Sequence, residues 1–176
     1  MSHKAALALL AQYNSWMNAK LIEAIRGLSH EDLWADRGAF FGSVMGTLNH
    51  LIVADIIWGK RLAGHATSGA LTPIHDYPMP TGLNAVLFER LEDYIPARQA
   101  LDQLMIDYIG SLDDDMLETP LSYVRGNNEP HTKALGLVLT HIFNHQTHHR
   151  GQITTLLSQM GIDVGVTDIL ALVPEL

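Results

Sequence analysis

Ten of the 176 residues are histidines, nearly as many as the 11 lysines and arginines together, and four of them fall between His141 and His149. There is no cysteine, which excludes disulfides, thiolate metal sites, iron–sulfur clusters and a cysteine nucleophile. Imidazoles are therefore the first place to look for chemistry. His145 and His149 stand four residues apart. On a helix that spacing offsets two side chains by only about 40°, so both rings reach one ion in front of the same face. The apolar residues around them, Leu135, Leu139, Ile142, Ile153, Leu156 and Met160, keep a three/four rhythm, and continuing it places His145 and His149 where apolar residues belong. Burying two unpaired imidazoles there is costly. Neutral histidines aimed into a bundle interior are a usual start for a metal site.

A third histidine, His50, lies in the most apolar stretch of the chain. Three histidines on one ion leave coordination positions open for water or substrate. Spacing alone does not choose the set, because His141 sits one turn before His145 and can replace either ligand. Surface histidines, or core histidines satisfied by carbonyls, have the same spacing. His148 is about 100° from His149 and is expected against a helix neighbour or a pocket wall. His3, His30, His65, His75 and His131 fall near helix ends or in loops and read as solvated. Asp55 is expected either to orient a ligand imidazole or to pair with Arg61.

Other schemes fit less well. No Glu-x-x-His pair supplies a di-iron site, and His30-Glu-Asp-Leu-Trp lacks the second histidine of a zinc-protease motif. Gly-rich phosphate loops and a G-x-S-x-G elbow are absent. Trp16, Trp34 and Trp58, with Met17, Met45 and Met105, read as core.

The elements that position these residues are helical. Leu7, Leu10, Met17, Leu21, Ala24 and Leu28 form one face of a helix from Lys4 to Leu28, interrupted by Asn14. Ser29-His-Glu-Asp marks a turn or a helix start. Ser43 caps a second helix running to about Gly64, where Gly-His-Ala-Thr-Ser-Gly stops it. That helix is apolar around nearly its whole circumference, so neighbours or a second subunit must cover it. Residues 67–82, with three prolines, read as a loop. A third helical stretch spans about Leu83 to Leu112, with Pro96 starting a new helix or kinking the old one, and Asp113-Asp-Asp ends it as a solvated turn. Leu121-Ser-Tyr-Val-Arg, Gly126-Asn-Asn and Glu129-Pro-His-Thr predict a small hairpin. A fourth helix runs from about Lys133 to Met160, closed by Gly161. The expectation is one all-α domain over 1–176, a four-helix bundle.

The chain carries 19 acidic residues against 11 basic ones, a formal charge of −8. That argues against nucleic acid or an anionic membrane as a partner. No stretch reaches the roughly 18 apolar residues of a membrane span, and the first 28 residues lack a secretory pattern. A cytoplasmic location is the expectation.

Three segments carry a family resemblance. Tyr13-Asn-Ser-Trp-Met-Asn, Gly46-Thr-Leu-Asn-His-Leu-Ile-Val-Ala-Asp-Ile-Ile-Trp and, most specifically, Leu139-Thr-His-Ile-Phe-Asn-His-Gln-Thr-His-His-Arg-Gly-Gln-Ile resemble the DinB family of metal-binding four-helix bundles. The resemblance spans the chain in the right order. It implies helices running up-down-down-up, a metal triad at His50, His145 and His149 rather than His141, a divalent ion of the zinc or nickel class, and a homodimer, whose contacts the apolar second helix would provide. Relatives of this fold include enzymes joining a low-molecular-weight thiol, such as mycothiol or bacillithiol, to electrophiles. The resemblance thus implies a metal-dependent enzyme activating a thiol or water, a thiol S-transferase or hydrolase-like protein, with Arg125, Arg150 and Lys133 as candidates for holding the thiol's carboxylates. The alternative is a non-catalytic metal-binding stress or interaction protein.

Overall fold

The computed structural model describes residues 2–65, 69–126 and 128–175. Part of the expected stop after Gly64, and Asn127 in the hairpin turn, lie outside the described residues. The first three helices begin where serine side chains satisfy free amides. Ser2 accepts from the Ala5 amide at the start of α1 (His3–Ile25), Ser29 from Asp32 at α2 (His30–Trp34), and Ser43 from Gly46 at α3 (Val44–Ala63). Helices α4 (Leu91–Ser111), α5 (Asp114–Leu117) and α6 (Leu135–Gln159) follow. Strands β1 (Pro120–Val124) and β2 (Pro130–Ala134) pair antiparallel, with Pro120 opposite Ala134 and Val124 opposite Pro130. They form the expected hairpin just before α6. Gly161 closes α6 with φ of 75°, the left-handed conformation that favours glycine after a helix.

Contacts between side chains fix the helix directions. His3 reaches Thr140 near the start of α6, and Asn14 meets Arg150 farther along it, so α1 and α6 run the same way. Lys4 meets Gly110 at the end of α4 while Asn18 meets Asp102, so α4 runs opposite to α1. The His50 ring packs on His149 and the Trp58 ring on His141, so α3 opposes α6. The order is up, down, down, up. Helix α1 lies between α4 and α6, and α3 packs against α6 and α4. Leu21, Ile25, Leu51, Ile52, Ile56, Leu139, Ile153 and Leu157 are fully buried where these faces meet.

Several expectations are corrected. Within residues 67–82, Gly69–Asp76 form a 3-10 helix. It packs on α3 so closely that a Cβ on Gly59 would stand 2.8 Å from Ile74. Elements of the same chain thus cover most of the α3 circumference, while Ile57 and Trp58 stay partly exposed. The third long helix starts at Leu91 rather than Leu83, and Pro96 lies inside it rather than opening a new helix. Asp113 is more than a solvated turn, since its carboxylate accepts from the Met116 amide and caps α5.

A buried polar network crosses the core. Arg98 is 1% exposed, and its Nη2 lies 2.6 Å from Asp55 and 3.0 Å from Asp102. Asn14 and Asn18 donate to Asp102 at 3.0 and 2.9 Å. Gln146 donates to Asp55 at 2.6 Å and to the Leu51 carbonyl at 3.3 Å. Arg150 donates to Asn14 and, at 3.2 Å, to Thr147. Two guanidinium groups balance two carboxylates, and every long helix contributes. Burial disfavours the Arg98 charge, but Asp102 and Asp55 outweigh that and raise its pKa above the ordinary arginine value. Asn14, read as interrupting the first apolar face, is one of the network's bridging residues. Asp55 takes neither expected role, because its partners are Arg98 and Gln146.

Removing one partner of a buried ion pair leaves the other charge uncompensated, at about 3–5 kcal/mol. Arg98→Met strands two carboxylates at once, so urea unfolding should show a loss of at least that size with an unchanged m-value. A loss below about 1 kcal/mol would contradict the assigned role of the network.

Candidate metal centre

Helix α3 supplies His50, and α6 supplies His145 and His149 one turn apart. One ring nitrogen from each lies within 4.8 Å of the others. Nε2 of His145 stands 3.2 Å from Nε2 of His50 and 3.1 Å from Nε2 of His149. Nitrogens about 2.0–2.1 Å from a single zinc-class ion, arranged tetrahedrally, are about 3.3 Å apart, so the spacing suits one ion. His50 is 3% and His149 8% exposed, and His145 is half-buried.

The outer ring nitrogens are already committed. Nδ1 of His50 donates to the Leu83 carbonyl at 2.8 Å, and Nδ1 of His149 to Oε1 of Gln152 at 2.8 Å. Each bond places the ring proton on Nδ1 and leaves the Nε2 lone pair facing the third histidine. Burial, then the neighbouring His149, His50, His141 and His148, push the His145 pKa down to about 3, so this ring is neutral at pH 7. Burial also lowers His50 and His149. A single proton on Nε2 of His145 can satisfy one facing lone pair but not both. A cation shared by all three satisfies every one, so the donor set fits a divalent ion.

The support around the triad comes from residues that the sequence pattern did not single out. The Asn49 amide accepts from the Leu87 and Phe88 amides at 2.8 and 2.9 Å and donates to the Phe88 carbonyl at 2.8 Å. This ties the segment carrying Leu83 to α3 beside His50. Phe41 stacks on His50, with centroids 3.8 Å apart and planes 18° apart, and meets His149 edge-on. Gly46 admits the Phe41 turn, since a Cβ there would lie 2.1 Å from the Phe41 carbonyl oxygen. An asparagine beside a histidine in an apolar helix is a usable signal for Asn49. Phe41 and Gln152 offer none, because their contacts arise from folding.

The remaining histidines stay outside the cluster. His141 is exposed and packs edge-on to Trp58. His148 is exposed and lies 3.4 Å from Nε2 of Gln152. His3, His30 and His75 are exposed as expected, whereas His65 and His131 are partly buried: His65 lies beside Thr119 and His131 stacks on Tyr123. Met17, Met45 and Met105 are core, but the three tryptophans are only partly buried, and Trp58 lines a cleft of about 680 Å³ that His50 and His145 also line. Of the three basic residues considered for a ligand's carboxylates, Arg125 lines this cleft, while Arg150 is 2% exposed and held in the core network. Lys133 lines a smaller adjoining pocket with Arg125 and His141.

A bundle running up, down, down, up with three histidines joining its second and fourth long helices is the arrangement the sequence resemblance implied. The DinB family model matches residues 1–174. The chain belongs to the DinB family. It is similar to Protein DinB of Bacillus subtilis (strain 168), 27% identical over 160 residues, covering 90% of this chain and 88% of that one. No solved structure matches. Among the described residues no helix is long and apolar enough to cross a membrane.

Residues that orient a metal-binding imidazole through its outer nitrogen typically contribute 10- to 100-fold to affinity. Gln152→Ala should therefore weaken Zn²⁺ binding about tenfold or more in a chelator-competition titration, with the helical circular dichroism unchanged. Unaltered affinity would contradict the assigned role of the Gln152–His149 bond.

Proposed function

We propose that this DinB-family chain is a metal-dependent enzyme, with His50, His145 and His149 holding one Zn²⁺- or Ni²⁺-class ion, and that it transfers a low-molecular-weight thiol to an electrophile. The observation that carries the reading is that the triad is open on one side. His50 and His145 line the cleft, whereas a purely structural site is normally closed by a fourth protein ligand. A bound divalent ion supplies Lewis acidity that lowers the pKa of a thiol or water.

The protein's own part is to hold and exclude. Leu83 and Gln152 fix two rings with their Nε2 atoms inward, and Phe41 covers the His50 face away from bulk water. With no cysteine in the chain, sulfur must come from a cosubstrate. The thiol gives its proton to solvent, the sulfur forms a bond to the electrophilic carbon, and the leaving group departs with its bonding pair. The cytoplasm, where such thiols are kept reduced, is the proposed location. The chain is proposed to act as a homodimer.

Zinc- and nickel-loaded protein should consume monobromobimane in the presence of glutathione, coenzyme A or bacillithiol faster than the uncatalysed reaction. His149→Ala should lower the catalysed rate at least 100-fold. Loaded protein without turnover for any of these thiols would contradict the transferase reading and favour a non-catalytic metal-binding role.

A further inference from the structure

The cleft that reaches the triad has a charge character opposite to the protein's. The chain carries a formal charge of −8, yet the cleft lining includes Arg61 and Arg125 and no aspartate or glutamate. Among the described residues, neither arginine forms an ion pair with a carboxylate. Arg61 is held in place without one. Its guanidinium carbon lies 4.6 Å from the Trp58 ring centre and 5.1 Å from that of Tyr123, and Nη2 donates to the Val124 carbonyl at 3.2 Å. Aromatic faces and one carbonyl orient a guanidinium while leaving its charge uncancelled. Burial lowers the Arg61 pKa, Tyr123 opposes that in part, and the nearby Arg125 adds a smaller lowering effect. Both lowering effects are relieved by an anion.

Helical geometry sets where that anion sits. His50, Ala54, Ile57 and Arg61 all line the cleft at steps of four, three and four along α3. Eleven residues return to within about 20° of the same face and advance about 16 Å. The triad and Arg61 therefore occupy opposite ends of one stripe, with apolar side chains between them and Met79, Pro80 and Leu83 on the facing wall. A singly charged group loses less hydration than a doubly charged phosphate on entering walls of this kind, and the guanidinium fork matches a carboxylate.

We infer that this cleft binds an organic carboxylate, its apolar body along the α3 stripe and its carboxylate on Arg61 and Arg125, with the opposite end of the molecule at the histidine triad. That the bound molecule is a substrate rests on the transferase reading; that it binds does not.

The test is calorimetric titration with 4-phenylbutyrate and its neutral amide, 4-phenylbutanamide, on zinc-loaded and metal-stripped protein. The acid should bind at least tenfold tighter than the amide in both forms. Arg61→Gln and Arg125→Gln should each reduce affinity for the acid about fivefold or more while leaving the amide unchanged. Arg125 is exposed, so its variant tests the site without disturbing the aromatic corner around Arg61. Equal binding of acid and amide would overturn the inference. So would binding of the acid that is lost on stripping the metal but unaffected by both arginine variants, because the carboxylate would then sit on the ion and the metal centre alone would stand. Arginine-dependent binding to a protein that takes up no metal would sustain the carboxylate site and contradict the transferase reading instead.

Discussion

The placement of the triad depends on the buried side chain of Gln146, which donates hydrogen bonds to Asp55 and to the Leu51 carbonyl where α3 meets α6. Apolar side chains drive α3 and α6 together but specify their relative register weakly, because dispersion and burial have little directionality. A slip of one helical turn, about 5.4 Å, would carry His145 and His149 past His50 and separate the three nitrogens. Such a slip would also strand the Gln146 amide and leave Asp55 with Arg98 alone. Buried groups of this kind are expensive when unpaired, so the network penalises displaced registers that an apolar core would tolerate. Gln146 lies on α6 between the two histidines, so the residue that sets the register is built into the motif it positions.

The same network joins the other half of the bundle to the site. Asp55 is held by Arg98, Arg98 by Asp102, and Asp102 by Asn14 and Asn18. Arg150 returns from α6 to Asn14. Breaking such a chain is costly, although a well-packed apolar core can equal it in stability. Its contribution here is specificity of arrangement. On the open side of the triad the logic reverses. Arg61, partly buried, and Arg125, exposed, line the cleft without carboxylate partners among the described residues, and it is on this unbalanced charge that the proposed carboxylate site rests.

Much of this was legible in the residues themselves. The three/four rhythm around His145 and His149, with His50 in the most apolar helix, marked the triad. Serines 29 and 43 marked helix starts, Gly161 marked an end, and Gly126 with its flanking residues marked the hairpin. Spacing alone could not choose His149 over His141, since either makes an i, i+4 pair with His145. The family resemblance pointed to His149, and in the structure α3 brings His50 beside His149 and leaves His141 on the cleft wall. Most of the misreadings arise from contacts between residues far apart in the chain; the Asp113 cap on Met116 is a local one. The sequence suggests a ligand imidazole or Arg61 as the partner of Asp55, and folding instead brings it to Arg98 and Gln146. Arg150, a candidate for holding a thiol's carboxylates, is a core residue because Asn14 and Tyr13 receive it. The Gly69–Asp76 segment looked like a loop from its proline, and it becomes helical where Leu71 and Ile74 find α3 to bury against.

Three imidazoles, two of them oriented by Leu83 and Gln152, form the proposed site for a single divalent ion. The most direct test is elemental analysis of untagged protein after reconstitution with Zn²⁺ or Ni²⁺ and removal of excess metal, alongside His50→Ala and His145→Ala. About one ion per chain is expected in the unaltered protein, with a large loss in both variants and their helical content preserved. A protein that retains no metal, or variants that retain as much as the parent, would contradict the assignment of this site.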